Sequence, residues 1–510
     1  MARSGENSFW HFLTHIKSEH LTWLWLVIGA IVLSFAAWQT VIPLAAWLAP
    51  IFLLRFSRTS RKAWVAMPLI FVAYVFAGTV GGRGLPWSTL GFLGNDTFKP
   101  LLWTLPYIVD RALDRRLSTW PRSLVFPLAF TSVDWIISLL RVSSSGSPVY
   151  AQSNLALMQI VSVTGMWSLT FLIMWFASTV NALWEHKFDW KPVRGITVTV
   201  TAVLLVVLLF GGARMAFDTP SSQQVEVATI TNEDAVWQAA LPYAIMAMLS
   251  QPTEAQREAM HPKFEATLDK MLERSETALQ GGAKIVSWQE EAAWTFAEDK
   301  QGAIDRAAAL ATKYDAYLQI SLGVFTSKPA MPFLLDESIL IDNTGHVLWT
   351  YDKSHLVPYD EAFVTIPGPG PLAYVDTKYG RLGTAICYET YFPAFIRQAG
   401  ENHVDILFAP SNDPPPFALY DCALSIPRTI ENGFSLVRAA HGRTLVTDYE
   451  GRVLGSQDYF TNDSGIMLTT VPTRGTSTLY SRIGDIFAYL CLAGLVAVIV
   501  LAIVRRKENA

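Results

Sequence analysis

The chain has 510 residues, a length that suggests two or three domains. Hydrophobic residues make up 51% and charged residues only 16%, where a water-soluble domain carries about 25%, and mean hydropathy is +0.28, so part of the chain belongs in lipid. A net charge of −4 excludes the global basic field of a nucleic-acid binder, and three scattered cysteines, Cys387, Cys422 and Cys491, exclude both a disulfide framework and a cysteine-based metal site.

The first twenty residues are polar, and no cleavage-site pattern follows the apolar stretch after them, which reads as an uncleaved anchor. From Leu21 to Phe56 the sequence is long enough for two tight spans. Further spans are predicted at Ala63–Val80, Phe98–Val109, Ser123–Leu140, Leu155–Trp184 and Ile196–Gly212, with a last one at Ile483–Val504. Loop charges orient this set. Arg55, Arg58, Arg61 and Lys62, then Arg111, Arg115, Arg116 and Arg122, then Lys187, Lys191 and Arg194, and the tail Arg505-Arg506-Lys507 all fall on one side. The opposite loops hold only Arg83 and Arg141, with Lys99 just beyond. The positive-inside rule therefore places the region between the seventh and eighth spans outside the cytoplasm. The expected organisation is an N-terminal transmembrane domain over residues 1–217, an extracytoplasmic domain over 218–480, and a final helix with a cytoplasmic tail over 481–510.

The middle region changes character. Val225–Ile230, Ala283–Trp288, Tyr317–Val324, Leu382–Cys387, Val404–Ala409, Ser435–Ala440 and Thr444–Thr447 read as strands or apolar runs. Thr253–Leu279, Ala303–Tyr314 and Tyr391–Ala399 read as helices. Ser338–Asp342 and Val347–Tyr351 flank Asn343-Thr344-Gly345 as a hairpin. Strands alternating with helices predict a layered α/β domain.

Three stretches carry reactive side chains at strand ends: Ile285-Val286-Ser287-Trp288-Gln289-Glu290-Glu291, the segment Tyr351–Glu361 with Lys353, and Gly383-Thr384-Ala385-Ile386-Cys387-Tyr388-Glu389. A thiol needs a base to become a nucleophile, and an ammonium favours both the thiolate and the oxyanion it creates. One Glu, one Lys and one Cys therefore suffice for acyl transfer. The alternative for a lone cysteine at the end of an apolar strand is a small core residue.

These stretches resemble the Glu-Lys-Cys signatures of the nitrilase, or carbon–nitrogen hydrolase, superfamily. With spans on both sides, the architecture is most similar to the apolipoprotein N-acyltransferase family. Lys353-Ser354-His355-Leu356-Val357-Pro358-Tyr359-Asp360-Glu361, Ile386-Cys387-Tyr388-Glu389, Ser411-Asn412-Asp413, and Arg428-Thr429-Ile430-Glu431 followed by Arg438 carry the likeness. The resemblance implies a membrane α-helical bundle of about eight helices plus an extracytoplasmic αββα nitrilase-like sandwich in a bacterial inner membrane. It implies Glu290 as general base, Lys353 as oxyanion and thiolate partner, and Cys387 as nucleophile. Glu361, Tyr388 and Glu389 would support them, with the Tyr388 N–H as an oxyanion donor, and Trp237, Asn412 and Arg438 would contact substrate. The implied reaction moves an acyl chain from a membrane phospholipid through a cysteine thioester to a diacylated lipoprotein, with no metal, cofactor or nucleic acid.

The sequence departs from the family at Gln289, where Pro is usual, and in having Glu291 as a rival to Glu290. It departs again at Pro414-Pro415-Pro416-Phe417 and at Ala439–Thr444, regions expected around the substrate. Two other readings stand beside the transferase: a membrane-anchored amidase or nitrilase with water as acceptor, and a non-catalytic binding or assembly protein on the same scaffold. His355 is expected to support the site rather than act as base, and His441 to lie at its edge or in the structure. Cys422 is expected in a loop without a partner, Cys491 in the packing of a span, and Asp134 either functional or paired inside one.

Overall fold

The computed structural model describes residues 18–36, 41–81, 89–140, 142–218, 223–232, 235–250, 252–326, 331–358, 361–414, 417–460 and 465–508. Arg83 and Arg141 lie outside them. Among the described residues, five helices are long and apolar enough to cross a membrane: Ala63–Gly81, Thr119–Leu139, Met166–Glu185, Arg194–Phe217 and Ile486–Arg505. The predicted pair from Leu21 to Phe56 forms helices Ser18–Leu33 and Pro43–Thr59.

Two expectations shift. The short Phe98–Val109 segment is part of a 25-residue helix, Thr89–Leu113. Lys99 does not end it, because its ammonium donates to the Ser145 carbonyl at 3.1 Å and hydroxyl at 2.5 Å. The expected span Leu155–Trp184 breaks instead into two single turns, Leu155–Met158 and Val161–Thr164, before Met166–Glu185. The break falls at Gly165, φ +67°, where a β-carbon would run into the Tyr480 ring.

Buried acids tie these helices together. Asp134 accepts from Ser147 Oγ at 2.7 Å, Thr170 Oγ1 at 3.2 Å and Trp103 Nε1 at 3.4 Å. Asp485, just before the last helix, accepts from Trp167 Nε1 at 2.8 Å, Tyr480 at 3.1 Å and Trp135 Nε1 at 3.2 Å.

The middle of the chain is a layered α/β fold built on two large sheets. The first runs Ile466–Pro472, Gln224–Ile230, Ile285–Trp288, Tyr317–Phe325, Leu334–Ile341, Val347–Asp352, with Ala293–Phe296 also paired to Tyr317–Phe325. The second runs Val453–Asp458, Arg443–Thr447, Ser435–Arg438, Ile406–Phe408, Gly380–Thr384, Ala373–Thr377. Gln224 lies opposite Pro472 in an antiparallel register, so the chain enters and leaves the domain side by side, next to the helices.

Strand periodicity sorts the layers. Leu318, Ile320, Leu322 and Val324 face helices His261–Gln280 and Lys300–Tyr314 in one core. On the other face, Tyr317 joins Leu382, Phe408 and Leu436 in the core between the sheets. A polar seam crosses that core, where Ser287 Oγ donates to Gln319 Oε1 at 2.6 Å and the Ser338 and Thr384 hydroxyls meet at 3.0 Å. Helices Pro393–Glu401 and Ala418–Asn432 cover the second sheet.

The expected hairpin forms at Asn343-Thr344-Gly345, with Gly345 at φ +88°. Cys422 is a correction. It is buried in helix Ala418–Asn432, where its thiol meets the Arg443 carbonyl at 3.5 Å. The proline run before that helix disguised its start.

Candidate active site

Each expected reactive group sits just past the end of a strand, where rigid backbone gives way to a loop. Glu290 follows the strand ending at Trp288 by two residues. The unusual Gln289 fastens this loop: its N–H donates to Ile230 O at 3.0 Å and its Oε1 accepts from Asn232 N–H at 2.9 Å. Lys353 follows the strand ending at Asp352 and donates its backbone N–H to Asp336 O at 3.0 Å.

Lys353 is fully buried, and its ammonium contacts Glu290 Oε1 at 2.6 Å, Glu361 Oε1 at 2.7 Å and Asp336 Oδ2 at 3.5 Å. Of the adjacent pair Glu290 and Glu291, Glu290 is the one that takes the ammonium. Glu361 opens a short helix, and its other oxygen accepts the Val357 N–H at 3.0 Å.

Cys387 begins a 3₁₀ turn with φ +45°, a left-handed conformation that a residue with a β-carbon adopts only when its surroundings enforce it. One restraint is its N–H, which donates to Pro410 O at 2.9 Å. The other is Glu389. That buried carboxylate accepts from Tyr351 at 2.6 Å, from Ser354 N–H at 2.7 Å and Oγ at 2.6 Å, and from Ile386 N–H at 2.7 Å. It thereby staples the turn of Cys387 to the loop of Lys353. His355 lies 3.9 Å from Glu389 and packs on Phe392 and Phe395, away from Lys353's contacts.

Electrostatics define the resting state. Burial pushes the Cys387 thiol well up, the Glu290 charge adds to that, and the Lys353 charge opposes it. The sulfur therefore rests as a thiol and needs a base. Burial also raises the Glu290 carboxyl, with the Lys353 charge opposing. Burial alone would lower Lys353, but Glu290, Glu361, Cys387 and Asp336 together hold it well above the ordinary range. Burial would raise Glu389, yet its hydrogen-bond donors keep its carboxyl below the usual value.

The remaining expected residues are placed differently. Tyr388 is buried, its ring edge-on to Phe392 at 5.1 Å. Asn412 is half-buried on a two-residue strand paired to Ala440–His441. Arg438, expected at the substrate, is 1% exposed; it forks onto Asp413 at 2.5 and 2.7 Å and also donates to Arg443 O at 3.1 Å. His441 is buried against Tyr459, ring centroids 4.4 Å apart. Trp237 falls on helix Ala235–Leu249, and its side chain lies outside the described residues.

Two features were not anticipated from the sequence. Asp336 joins the Lys353 cluster, and its signal was a polar Asp336-Glu337-Ser338 step within the apolar strand Leu334–Ile341. The loop 142–148 docks on the Cys387 turn: Ser144 N–H and Oγ both donate to Tyr391 O, at 3.1 and 2.6 Å. Ser145 and Gly146 of that loop, with Tyr74, Lys99, Trp103 and Met174, border a mostly apolar cleft among the helices.

Residues 249–483 match the carbon–nitrogen hydrolase family. An apolipoprotein N-acyltransferase of Geobacter metallireducens is 26% identical over 438 residues, covering 79% of this chain and 77% of that protein. Apolipoprotein N-acyltransferase 2 of Treponema pallidum is 24% identical over 519 residues, covering 91% of this chain and 92% of that protein. Among solved structures, an amidase of the nitrilase superfamily from Nesterenkonia is 18% identical with a TM-score of 0.40, covering 53% of this chain and 98% of that one. The resemblance read from the Lys353 and Cys387 motifs is thus shown: this chain is similar over most of its length to apolipoprotein N-acyltransferases and carries a carbon–nitrogen hydrolase region.

Proposed function

We propose that this chain is an inner-membrane acyltransferase that moves a fatty acyl chain from a phospholipid, through a thioester on Cys387, to the N-terminal amine of diacylglyceryl-cysteine lipoproteins. In this reading seven spans within residues 1–217 and one within 481–510 hold the domain at 218–480 against the outer face of the bilayer.

Glu290 takes the proton of the Cys387 thiol. The thiolate adds to the ester carbonyl, and the Lys353 ammonium, with the Tyr388 N–H, faces the developing oxyanion. Collapse expels the lysophospholipid alkoxide, which receives the proton from Glu290. The lipoprotein amine then attacks the thioester, giving an amide and returning the thiol. The observation that carries the reading is one buried ammonium held between Glu290 at 2.6 Å and Glu361 at 2.7 Å while its charge acts on a cysteine in a strained turn. Support for lipid substrates comes from the apolar cleft bordered by Ser145 and Gly146, since Ser144 of the same loop binds the Cys387 turn at Tyr391.

Intact-protein mass spectrometry tests it. Incubation with phospholipid should add one acyl mass to the wild type and none to Cys387→Ala, and a diacylated lipopeptide should then remove it as a triacylated product. Release of free fatty acid without the lipopeptide would mark a hydrolase instead. Acyl addition that persists in Cys387→Ala would end the thioester mechanism.

A further inference from the structure

We propose that Asp336 is a positioning residue for the base: it stays protonated and donates a hydrogen bond to the Glu290 carboxylate. The inference deepens the acyltransferase reading and rests on it. Three carboxyl groups, Glu290, Glu361 and Asp336, surround the single ammonium of Lys353 at 2.6, 2.7 and 3.5 Å. Fully ionised, they would leave two uncompensated negative charges in a site where Asp336 is 3% and Glu290 is 3% exposed. One retained proton halves that excess.

Geometry indicates which carboxyl holds it. Glu361 is the most exposed of the three and receives two donors, Lys353 Nζ and Val357 N–H, as a carboxylate should. Glu290 has the shortest contact to the ammonium. Asp336 has the longest contact, and among the described residues its buried Oδ1 has no hydrogen-bond partner. An ionised oxygen there would be stranded, whereas a protonated one becomes a donor, and the Glu290 carboxylate is within hydrogen-bonding reach. The surroundings of Asp336 agree: burial raises its carboxyl well above the ordinary value, the charges of Glu290, Glu291 and Glu361 add to that, and Lys353 opposes it.

A hydrogen bond donated to Glu290 favours its ionised form. It keeps the base ready at a pH where burial alone would leave it protonated, and it fixes which oxygen faces the thiol. The rate of acyl-enzyme formation is therefore measured against pH by intact mass, for wild type, Asp336→Asn and Asp336→Ala, with thermal midpoints alongside. Asn keeps the donor without the charge. It should stay within about threefold of wild type with the acid limb in place. Ala removes the donor, and its acid limb should move up by about one pH unit. An Asn variant impaired like the Ala variant, or an Ala variant with an unmoved acid limb, overturns the assignment. Cys387→Ala is run in parallel. If it still labels, the acyltransferase reading fails and takes the inference with it; if it does not, an unmoved limb sinks the role of Asp336 alone.

Discussion

Two buried clusters in the same domain make opposite use of charge. Arg438 and Asp413 are 1% and 0% exposed and meet one to one, with two parallel hydrogen bonds. Around Lys353, equally buried, three carboxyl groups share one cation. A matched pair holds its neighbours in register and keeps fixed protonation states. An unmatched cluster lets protons move between its members, which a fixed scaffold does not need and a proton-transferring site does. Imbalance, more than burial, separates the two.

The largest effect should come from breaking the unmatched cluster at its base. Glu290→Gln is expected to slow acyl-enzyme formation by about a thousandfold, within the range typical of general bases, with the fold retained. In the wild type, the raised Glu290 carboxyl means that this rate falls as pH drops through that raised value, since only the ionised form accepts the thiol proton. Unchanged labelling in Glu290→Gln would show that the imbalance is merely structural.

Breaking the matched pair should read out as stability. Arg438→Met strands a buried Asp413 and should cost roughly 3–5 kcal/mol in denaturant unfolding of the detergent-solubilised protein. A loss below about 1 kcal/mol, the level of an exposed pair, would remove the contrast.

Asp421 sharpens it further. Burial pushes its carboxyl up to about 7, with the nearby Arg438 charge opposing, and the Tyr391 hydroxyl donates to it. Its folded-state value is raised, so its contribution to stability is complete below about pH 4 and is lost as pH rises through about 7. Wild type should therefore lose thermal stability between about pH 4 and 7, and level off above that, relative to Asp421→Asn. Parallel curves would contradict the raised value. The smallest effect is expected at Gln289→Ala, which removes the acceptor of Asn232 N–H and should cost about 1 kcal/mol in the same unfolding measurement.

The site was legible where chemistry is local. Lys353, Cys387, Glu361 and Glu389 lie in short motifs whose side chains converge because each ends a strand or opens a turn. Asp336 left only the polar step in its strand as a signal, and its partner was not legible, because strand periodicity records which face a residue occupies and not what waits across it. The family resemblance implied Arg438 as a substrate contact, and its pairing with Asp413, 25 residues earlier, was not legible in the sequence. Helix Ala418–Asn432 escaped notice behind a proline run, and Pro427 inside it weakened the periodicity further.

By itself the sequence determined the apolar segments, the alternating strands and helices between them and the candidate reactive side chains, because hydropathy and motif chemistry act over a few residues. Tertiary structure alone decided the partnerships. Glu290 and Lys353 are 63 positions apart, and their 2.6 Å contact exists only because two strands of one sheet, separated by two others, deliver both following loops to one point. Which carboxyl faces the ammonium, and which arginine is already taken, depends on distances of a few ångströms, over which charge interactions in a buried site change most steeply.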